Sequence, residues 1–182
     1  MSGIKGLVLL TRFDYIEEKY GRDRLKSFWE QIELKDKSVF QQPVVISKDY
    51  PEIILKAVDE AIEKHFFKDK APSFRELGRW IAGHLMSRYF QIYVDEQNPI
   101  GFLEQIMRMR PTLIGLGLMD MVDLEPNTYL IKIDYGQPYL PSVYQSEIGF
   151  LEEGVRMCGG RKVTMLPEEQ SGFVLEFRMH WE

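Results

Sequence analysis

The spacing of apolar residues changes about two-thirds of the way along the chain. In the first part they recur every three or four residues, as in Leu9, Phe13 and Ile16, which lines one face of a helix. In the last part they alternate with polar residues, as in the stretch 129–135, a pattern typical of a strand. Helices that precede the strands, instead of alternating with them, are typical of the α+β class. The sequence therefore predicts an α+β fold, with an N-terminal helical layer packed on a C-terminal twisted antiparallel sheet.

The helical part divides into five predicted helices. Gly21 favours a helix stop and Pro51 a helix start, because glycine adopts a positive φ and proline needs no N–H in a first turn. The helices cover residues 6–20, 25–32, 51–67, 74–94 and 98–111. The later part predicts a hairpin over 118–124 and 128–135, a helix over 141–158, and a second hairpin over 162–166 and 173–181. These elements give about four strands with one helix between two hairpins, and 182 residues suit a single domain, 1–182.

The last predicted strand is expected to lie in the core of the sheet. Large apolar side chains alternate strictly from Phe173 to Trp181. A register slip of one residue would expose all of them, so the register should be strongly specified. Trp181 is therefore predicted to be buried and to anchor the strand.

The composition narrows the range of partners. The net charge of −5 repels phosphate backbones, and the basic pairs Arg108 with Arg110 and Arg161 with Lys162 are short, so we expect no nucleic-acid binding. No window approaches the roughly 18 apolar residues of a membrane span. The apolar run at 7–10 is too short for a secretory signal, so a cytoplasmic location is expected.

No catalytic or metal-binding pattern is found in the sequence. The three histidines, His65, His84 and His180, lie in different predicted elements and lack the spacing of a zinc site. Cys158 lies on the apolar stripe of its helix, where packing is expected instead of thiol chemistry. The paired glutamates at 152–153 and 168–169 predict solvated faces. We therefore expect no enzymatic activity, no metal site and no cofactor.

The helix over 74–94 is the longest and most apolar of the predicted helices. Its apolar arc covers more than half of the circumference, which is typical of a helix with neighbours on several sides. Gly78 and Gly83 would allow those neighbours to approach closely. The width of the arc favours a homodimer formed mainly by helices.

The candidate ligand or interface site lies on the same helix. On a helical wheel His84 groups with Trp80 and Arg88, away from the main apolar stripe to which Tyr89 belongs. A face that combines polar and aromatic side chains on a central helix could line a pocket or a subunit contact. The alternative is a partly exposed surface of mixed residues. The candidate site residues are therefore Trp80, His84, Arg88 and Tyr89.

Several stretches of the chain carry a family resemblance. They are FRELGRW at 74–80, the Asn98-Pro99 pair with its apolar helix, the segment 149–181, GIKG at 3–6, and Lys19-Tyr20-Gly21. Together they resemble a bacterial family of uncharacterised proteins, known chiefly from many paralogues in myxobacteria. That family looks like part of a superfamily of haem–nitric-oxide sensor domains, 4-vinyl-reductase-type small-molecule-binding domains and transport-particle (TRAPP) subunits. The resemblance implies a helical layer against a twisted antiparallel sheet, and pairing through the helices.

The sequence departs from the specific chemistries of that superfamily. The haem sensors carry a proximal histidine on the helix before the central strands, and here the segment 98–111 has none. Their tyrosine-serine-arginine motif for the haem propionates is not evident either. The 4-vinyl-reductase-type domains typically have cysteines near the C-terminus, and 162–182 has none. The resemblance therefore implies the scaffold without these chemistries.

These observations predict a non-enzymatic, sensory or regulatory module. Its partner would be an apolar small molecule or another protein, and the module would form a homodimer. A structural or scaffolding homodimer without a ligand is one alternative. A haem or gas sensor with an unusual axial ligand is another.

Overall fold

The structure, a computed structural model, describes residues 3–35, 38–67, 73–88, 91, 97–170 and 172–182. Its helices are α1 (Gly6–Tyr20), α2 (Arg22–Gln31), α3 (Glu52–Phe66), α4 (Phe74–Arg88), α5 (Pro99–Leu113) and α6 (Pro141–Met157), with one 3₁₀ turn at Ser38–Phe40. The strands are β1 (Gly3–Lys5), β2 (Asp49–Pro51), β3 (Leu118–Glu125), β4 (Thr128–Asp134), β5 (Thr164–Gln170) and β6 (Val174–His180). The α+β class and the antiparallel sheet of four strands are confirmed.

The chain divides into two compact units. The first unit comprises Met1–Pro72 and Thr112–Leu116, and the second comprises Ser73–Pro111 and Gly117–Glu182. The predicted single domain over 1–182 stays a prediction.

Several predicted boundaries differ from the observed ones. Pro51 ends β2 and precedes the first residue of α3, because its ψ of 136° is extended. Pro111 lies inside α5, which ends at Leu113. Proline has no backbone N–H to donate, so the helical hydrogen bonding is interrupted only near the C-terminal end of α5. The predicted extension of α4 to residue 94 falls, apart from residue 91, outside the described residues.

The first unit contains a small sheet that the sequence did not predict. β1 and β2 are antiparallel, and buried Ile4 lies opposite buried Tyr50. Strands of three residues are too short to show an alternating pattern. The unit also contains an aromatic cluster, in which the ring of Phe13 lies 4.3 Å from Trp29, 6.1 Å from Phe40 and 6.5 Å from Phe28. Helices α1 and α3 are joined by a buried ion pair between Arg12 and Asp59.

The second unit is built on the sheet β3-β4-β6-β5. All three strand pairings are antiparallel, and the turn between β3 and β4 has a positive φ of 58° at Asn127. The buried face alternates as predicted, and Ile131 of β4 lies opposite Phe177 of β6, with both side chains fully buried. This face contributes a large share of the core of the unit.

The end of β6 behaves as the alternation predicts. Trp181 is 3% exposed and stacks on Tyr129, with ring centroids 5.4 Å apart and planes 7° from parallel. Phe173 departs from the prediction, because it is 50% exposed. It lies in the bend before β6, so the alternation begins only with the residues that pair in the sheet.

Helices α4 and α6 cross at very short distance in the second unit. A Cβ atom added to Gly78 would lie 1.9 Å from the carbonyl oxygen of Ser146, and one added to Gly149 would lie 1.9 Å from that of Arg75. The predicted close approach is therefore confirmed for Gly78. It is wrong for Gly83, since a Cβ there would have no atom within 4 Å.

The start of α4 forms a capping box. The backbone N–H of Glu76 donates to the Ser73 hydroxyl at 3.4 Å, and the backbone N–H of Ser73 donates to the Glu76 carboxylate at 3.2 Å. Two otherwise unpaired donors of the first turn are thereby satisfied, which fixes where the helix begins.

Candidate functional site

The structure brings together two of the four predicted site residues on α4. Trp80 and His84 stack with ring centroids 4.4 Å apart and planes 28° from parallel. His84 is 8% exposed, so it is more buried than the partly exposed surface of the alternative interpretation would require. Arg88 is exposed at the end of the helix, and Tyr89 lies outside the described residues. A ligand or partner at these residues stays a prediction.

A cluster of charged residues lies where α4 crosses α6. The Glu152 carboxylate of α6 accepts hydrogen bonds from Arg75 at 3.0 Å, from Arg79 at 2.9 and 3.0 Å, and from Arg156 at 2.6 Å. We call these four residues the Glu152 cluster. The solvated face predicted for residues 152–153 is therefore wrong for Glu152, whose side chain is 3% exposed. Neighbouring positions on a helix point about 100° apart, so Glu153 is oriented differently and is 32% exposed. The side chains of the second predicted pair, residues 168–169, lie outside what the structure describes.

The arginines hold Glu152 in its ionised form. Burial alone would raise the pKa of this carboxyl group, but the hydrogen bonds and charges of Arg79 and Arg75 outweigh it and lower the pKa below its ordinary value. The three arginine side chains that cover the Glu152 carboxylate are themselves 34–40% exposed. Three cations thus share one anion at the surface of the second unit.

A second carboxylate of α6 lies in a closed network. Arg110 of α5 donates to Glu147 at 2.9 Å through Nε, and the Tyr135 hydroxyl donates to the other carboxylate oxygen. Arg110 is 1% exposed, so it does not contribute to a basic surface patch with Arg108. Burial, followed by the charge of Glu147, raises the pKa of Tyr135 well above its ordinary value, so the phenol remains a donor. We call Arg110, Glu147 and Tyr135 the Glu147 network.

Aromatic rings enclose the Glu147 network. The Arg110 guanidinium lies 5.2 Å from the centroid of the Tyr135 ring, which stacks on Tyr139 at 4.1 Å. Tyr144 meets Tyr139 edge-on at 5.7 Å. Cation–π contact and ring stacking both favour this arrangement. With one cation, one anion and a neutral phenol, the network is balanced in charge and closed to solvent.

The first unit carries an open groove of about 800 Å³ along one side of α3. It runs between the N-terminal half of α3 and the segment after α2. Its apolar lining residues are Leu34, Val39, Pro51, Ile53, Ile54 and Ala57, and its charged lining residues are Glu33, Lys35, Lys56 and Glu60. Ile53 is 61% exposed, so its apolar side chain is accessible from the groove. We call this the α3 groove.

A smaller cavity of about 240 Å³ continues from the α3 groove along the same helix. Lys64 pairs with Glu33 at 2.9 Å on its wall. The hydrogen bond and charge of Lys64 lower the pKa of the Glu33 carboxyl group. Lysine and glutamate side chains thus line the groove and the cavity together with apolar ones.

The groove could not be identified from the sequence. Its lining comes from α3 and from the loop after α2, and Ile53 lies one position before Ile54, which faces the core. Two adjacent isoleucines at the start of a helix gave the only signal, because both cannot lie on one face.

No metal centre is found in the part of the chain that the structure describes. Those residues contain no group of three or more His, Cys, Asp or Glu side chains that could hold a metal ion. Cys158 is fully buried, in agreement with its predicted packing role. His180 hydrogen-bonds to Thr128 across the sheet at 2.9 Å. None of the described helices is long and apolar enough to cross a membrane.

The fold is shared with solved H-NOX structures over nearly the whole chain. A member of the H-NOX family in which haem distortion is probed aligns with a TM-score of 0.75 at 13% identity, covering 98% of this chain and 95% of that one. An oxygen-binding H-NOX domain related to soluble guanylate cyclases aligns at 0.73 and 15%, covering 98% and 95%. An H-NOX protein variant from K. algicida aligns at 0.70 and 13%, covering 98% and 96%. The chain matches no protein-family model and no curated protein in sequence.

At this level of identity the likeness establishes the fold and not the activity. The resemblance to haem–nitric-oxide sensor domains is therefore confirmed as a likeness of fold. The relation to the myxobacterial family and to the TRAPP subunits stays a prediction.

The described residues do not fit a haem group of the kind that the fold implies. Haem iron requires an axial ligand from the protein, most often a histidine. Helix α5, where the resemblance places that ligand, contains no histidine. Its buried positions are occupied by apolar side chains and by Arg110, and the Phe102 ring lies where a Cβ on Gly154 of α6 would stand, 1.9 Å away. The nearest candidate, His84, is stacked against Trp80 on a different helix.

Proposed function

We propose that this chain is a non-enzymatic sensory or regulatory module that binds an apolar small molecule in the α3 groove. The observation that carries the proposal is the groove itself, which measures about 800 Å³ and has the exposed Ile53 in its lining. Ligand pockets of drug-sized molecules typically measure about 300–1,000 Å³ and are lined mostly by apolar groups with a few polar ones. The likeness of fold to the H-NOX domains supports a sensory role by analogy.

The energetics of the groove favour an apolar ligand. Fully burying an isoleucine side chain that would otherwise be exposed contributes about 1.5–3 kcal/mol. A ligand that covers Ile53 would also cover the neighbouring Leu34 and Val39, which are half-buried. The charges at the border are mixed, with Glu33 and Glu60 beside Lys35 and Lys56, so they do not select strongly for a charged ligand.

The proposal is tested with an uncharged apolar fluorescent probe, N-phenyl-1-naphthylamine, titrated into the full chain. We expect Ile53→Gln to weaken the binding by about tenfold, since it removes the apolar contact. Leu118→Gln is the matched control, because Leu118 is 66% exposed and lies on β3 in the second unit. Equal loss in both variants, or no loss in Ile53→Gln, would contradict the proposal.

A haem-dependent gas sensor is the second candidate, and the likeness of fold to H-NOX domains is what favours it. Reconstitution with haemin separates the two proposals. We expect no stoichiometric binding and no sharp Soret band. A stoichiometric Soret band that is lost in His84→Ala would establish the second candidate.

The proposed module pairs with a second copy of itself through its helices, as the resemblance implies. Light scattering at micromolar concentration should give the mass of a dimer, and a monomer would remove this part of the proposal. A dimer that binds no apolar probe would instead support the alternative of a structural scaffold without a ligand.

A further inference from the structure

The Glu152 cluster contains more positive charge than its carboxylates neutralise. Arg75, Arg79 and Arg156 all donate to Glu152, which leaves an excess of two positive charges around that carboxylate. Glu153 accepts a bond of 3.3 Å from Arg156 and reduces the excess to one. Like charges held this close repel one another, and the Glu147 network shows that the same helix also supports a balanced pair.

Several guanidinium donors of the cluster remain available. Arg75 uses only its Nε atom, so both of its Nη atoms make no hydrogen bond to the described residues. Arg79 uses Nε and Nη2, which leaves Nη1 available in the same part of the chain. The side chains of Arg75 and Arg79 are 38% and 34% exposed, so a solute can reach them.

The backbone holds these donors in place. Arg75 and Arg79 lie four residues apart, on neighbouring turns of α4, and flank Gly78 where the helix meets α6. The two helix backbones approach so closely there that a Cβ atom on Gly78 would clash with the backbone of α6. Glu152 lies beneath the two arginines and fixes the orientation of both guanidinium planes through Nε. Donors that are already oriented lose little freedom when a ligand binds.

We propose that the Glu152 cluster is a binding site for the phosphoryl group of a small molecule, separate from the α3 groove. Planar guanidinium groups match phosphate oxygens with pairs of parallel hydrogen bonds. A phosphate monoester carries about −1.5 to −2 charges near neutral pH, enough to neutralise the remaining excess of one positive charge in the cluster. A carboxylate, with a single negative charge and two oxygens, would satisfy fewer of the available donors.

The test is a calorimetric titration of the full chain with inorganic phosphate and with phenyl phosphate, at an ionic strength held constant with chloride. We expect Arg75→Gln to weaken the binding of both by about tenfold, the size of one or two charge-assisted hydrogen bonds. Arg108→Gln is the matched control, because Arg108 is 67% exposed and pairs with a single carboxylate, that of Glu104. It should bind as the unaltered chain does.

A further variant and a further ligand provide additional ways to contradict the proposed phosphate site. Arg75→Lys retains the charge without the planar donor pair, so it should bind with intermediate affinity. Acetate at the same ionic strength should bind more weakly than phosphate. Phosphate heats no larger than those of chloride, or equal affinity in Arg75→Gln and the unaltered chain, would overturn the proposal. If Arg75→Gln failed to fold, Arg75→Lys and the acetate comparison would still decide it. The apolar probe reports separately on the α3 groove, so the two proposals can fail independently.

Discussion

Glu147 and Glu152 lie five positions apart on α6 and have contrasting electrostatic environments. Glu147 meets one buried arginine and one neutral phenol, and aromatic rings close the network from solvent. Glu152 meets three half-exposed arginines at the edge of the unit. Both carboxylates are nearly buried, so burial alone does not separate them. The difference lies in the ratio of charges and in the access of solvent to the partners.

The comparison separates a structural ion pair from a candidate binding site. A solute cannot reach the donors of a buried pair, and each member of the pair depends on the other for compensation of its charge. A cluster with surplus cations keeps donors available, and each arginine can return to water if the carboxylate is lost. Removal of the two carboxylates should therefore have very different consequences.

The largest effect is expected from Glu147→Ala. It leaves the Arg110 guanidinium buried without its carboxylate, which typically costs about 3–5 kcal/mol of unfolding free energy. Urea unfolding of the full chain measures the loss. Glu104→Ala is the control, because Glu104 is exposed and its pairing with Arg108 should contribute less than about 1 kcal/mol. A loss at Glu147 as small as the control would show that the network is not closed.

Substitution of an uncharged core residue gives a reference for the unfolding free energy lost in Glu147→Ala. Trp181→Ala removes a ring that is 3% exposed and stacked on Tyr129, and the expected cost is about 3–5 kcal/mol. Glu182→Ala should be close to silent in the same thermal unfolding, because Glu182 is exposed. A loss below about 1 kcal/mol at Trp181 is the size of an ordinary surface change and would place β6 outside the core.

Glu152→Ala should cost less than Glu147→Ala. Its three arginines are at least one-third exposed, so they can be rehydrated, and about 1–3 kcal/mol is expected for the lost acceptor. Measured beside Glu147→Ala in urea, the order of the two losses tests the comparison directly. Equal losses would mean that the Glu152 cluster is as closed as the Glu147 network.

The smallest expected effects are on the pH dependence of the unfolding free energy. Glu152 acts at acid pH and Tyr135 at alkaline pH. The pKa of Glu152 is lowered in the folded chain. Its contribution to the unfolding free energy is therefore present at neutral pH and is lost as the pH falls below about 4. The pKa of Tyr135 is raised, so its contribution is present below about pH 10 and is lost as the pH rises above it. Unfolding free energies across this range should show a shallower acid limb in Glu152→Gln and a shallower alkaline limb in Tyr135→Phe. An unchanged slope in either variant would contradict the corresponding pKa shift.

The sequence predicts the parts of this molecule whose signals are local. The periodicity of α1 and the alternation in β4 and β6 extend over at least seven residues, long enough to predict both the element and its buried face. The capping box of α4 is likewise a pattern within four residues, from Ser73 to Glu76. The small sheet of β1 and β2 was not predicted, because each strand has only one buried residue and shows no alternation.

The sites depend on contacts that no local pattern reveals. Arg75 and Glu152 are 77 positions apart, and only the crossing of α4 and α6 brings them together. Arg110 and Glu147 are separated by 37 positions, so no local pattern indicated that they form a pair. The α3 groove depends on the course of the segment after α2. In each case the residue types are ordinary, and their arrangement follows from long-range packing.

Binding of an apolar molecule in the α3 groove can be mapped residue by residue. The measurement is amide chemical-shift mapping of the full chain with the uncharged probe N-phenyl-1-naphthylamine. We expect the largest shifts at the residues of the groove, Leu34, Ile53, Ile54 and Ala57, with saturation at one site. Shifts confined to the second unit, or scattered without saturation, would contradict it.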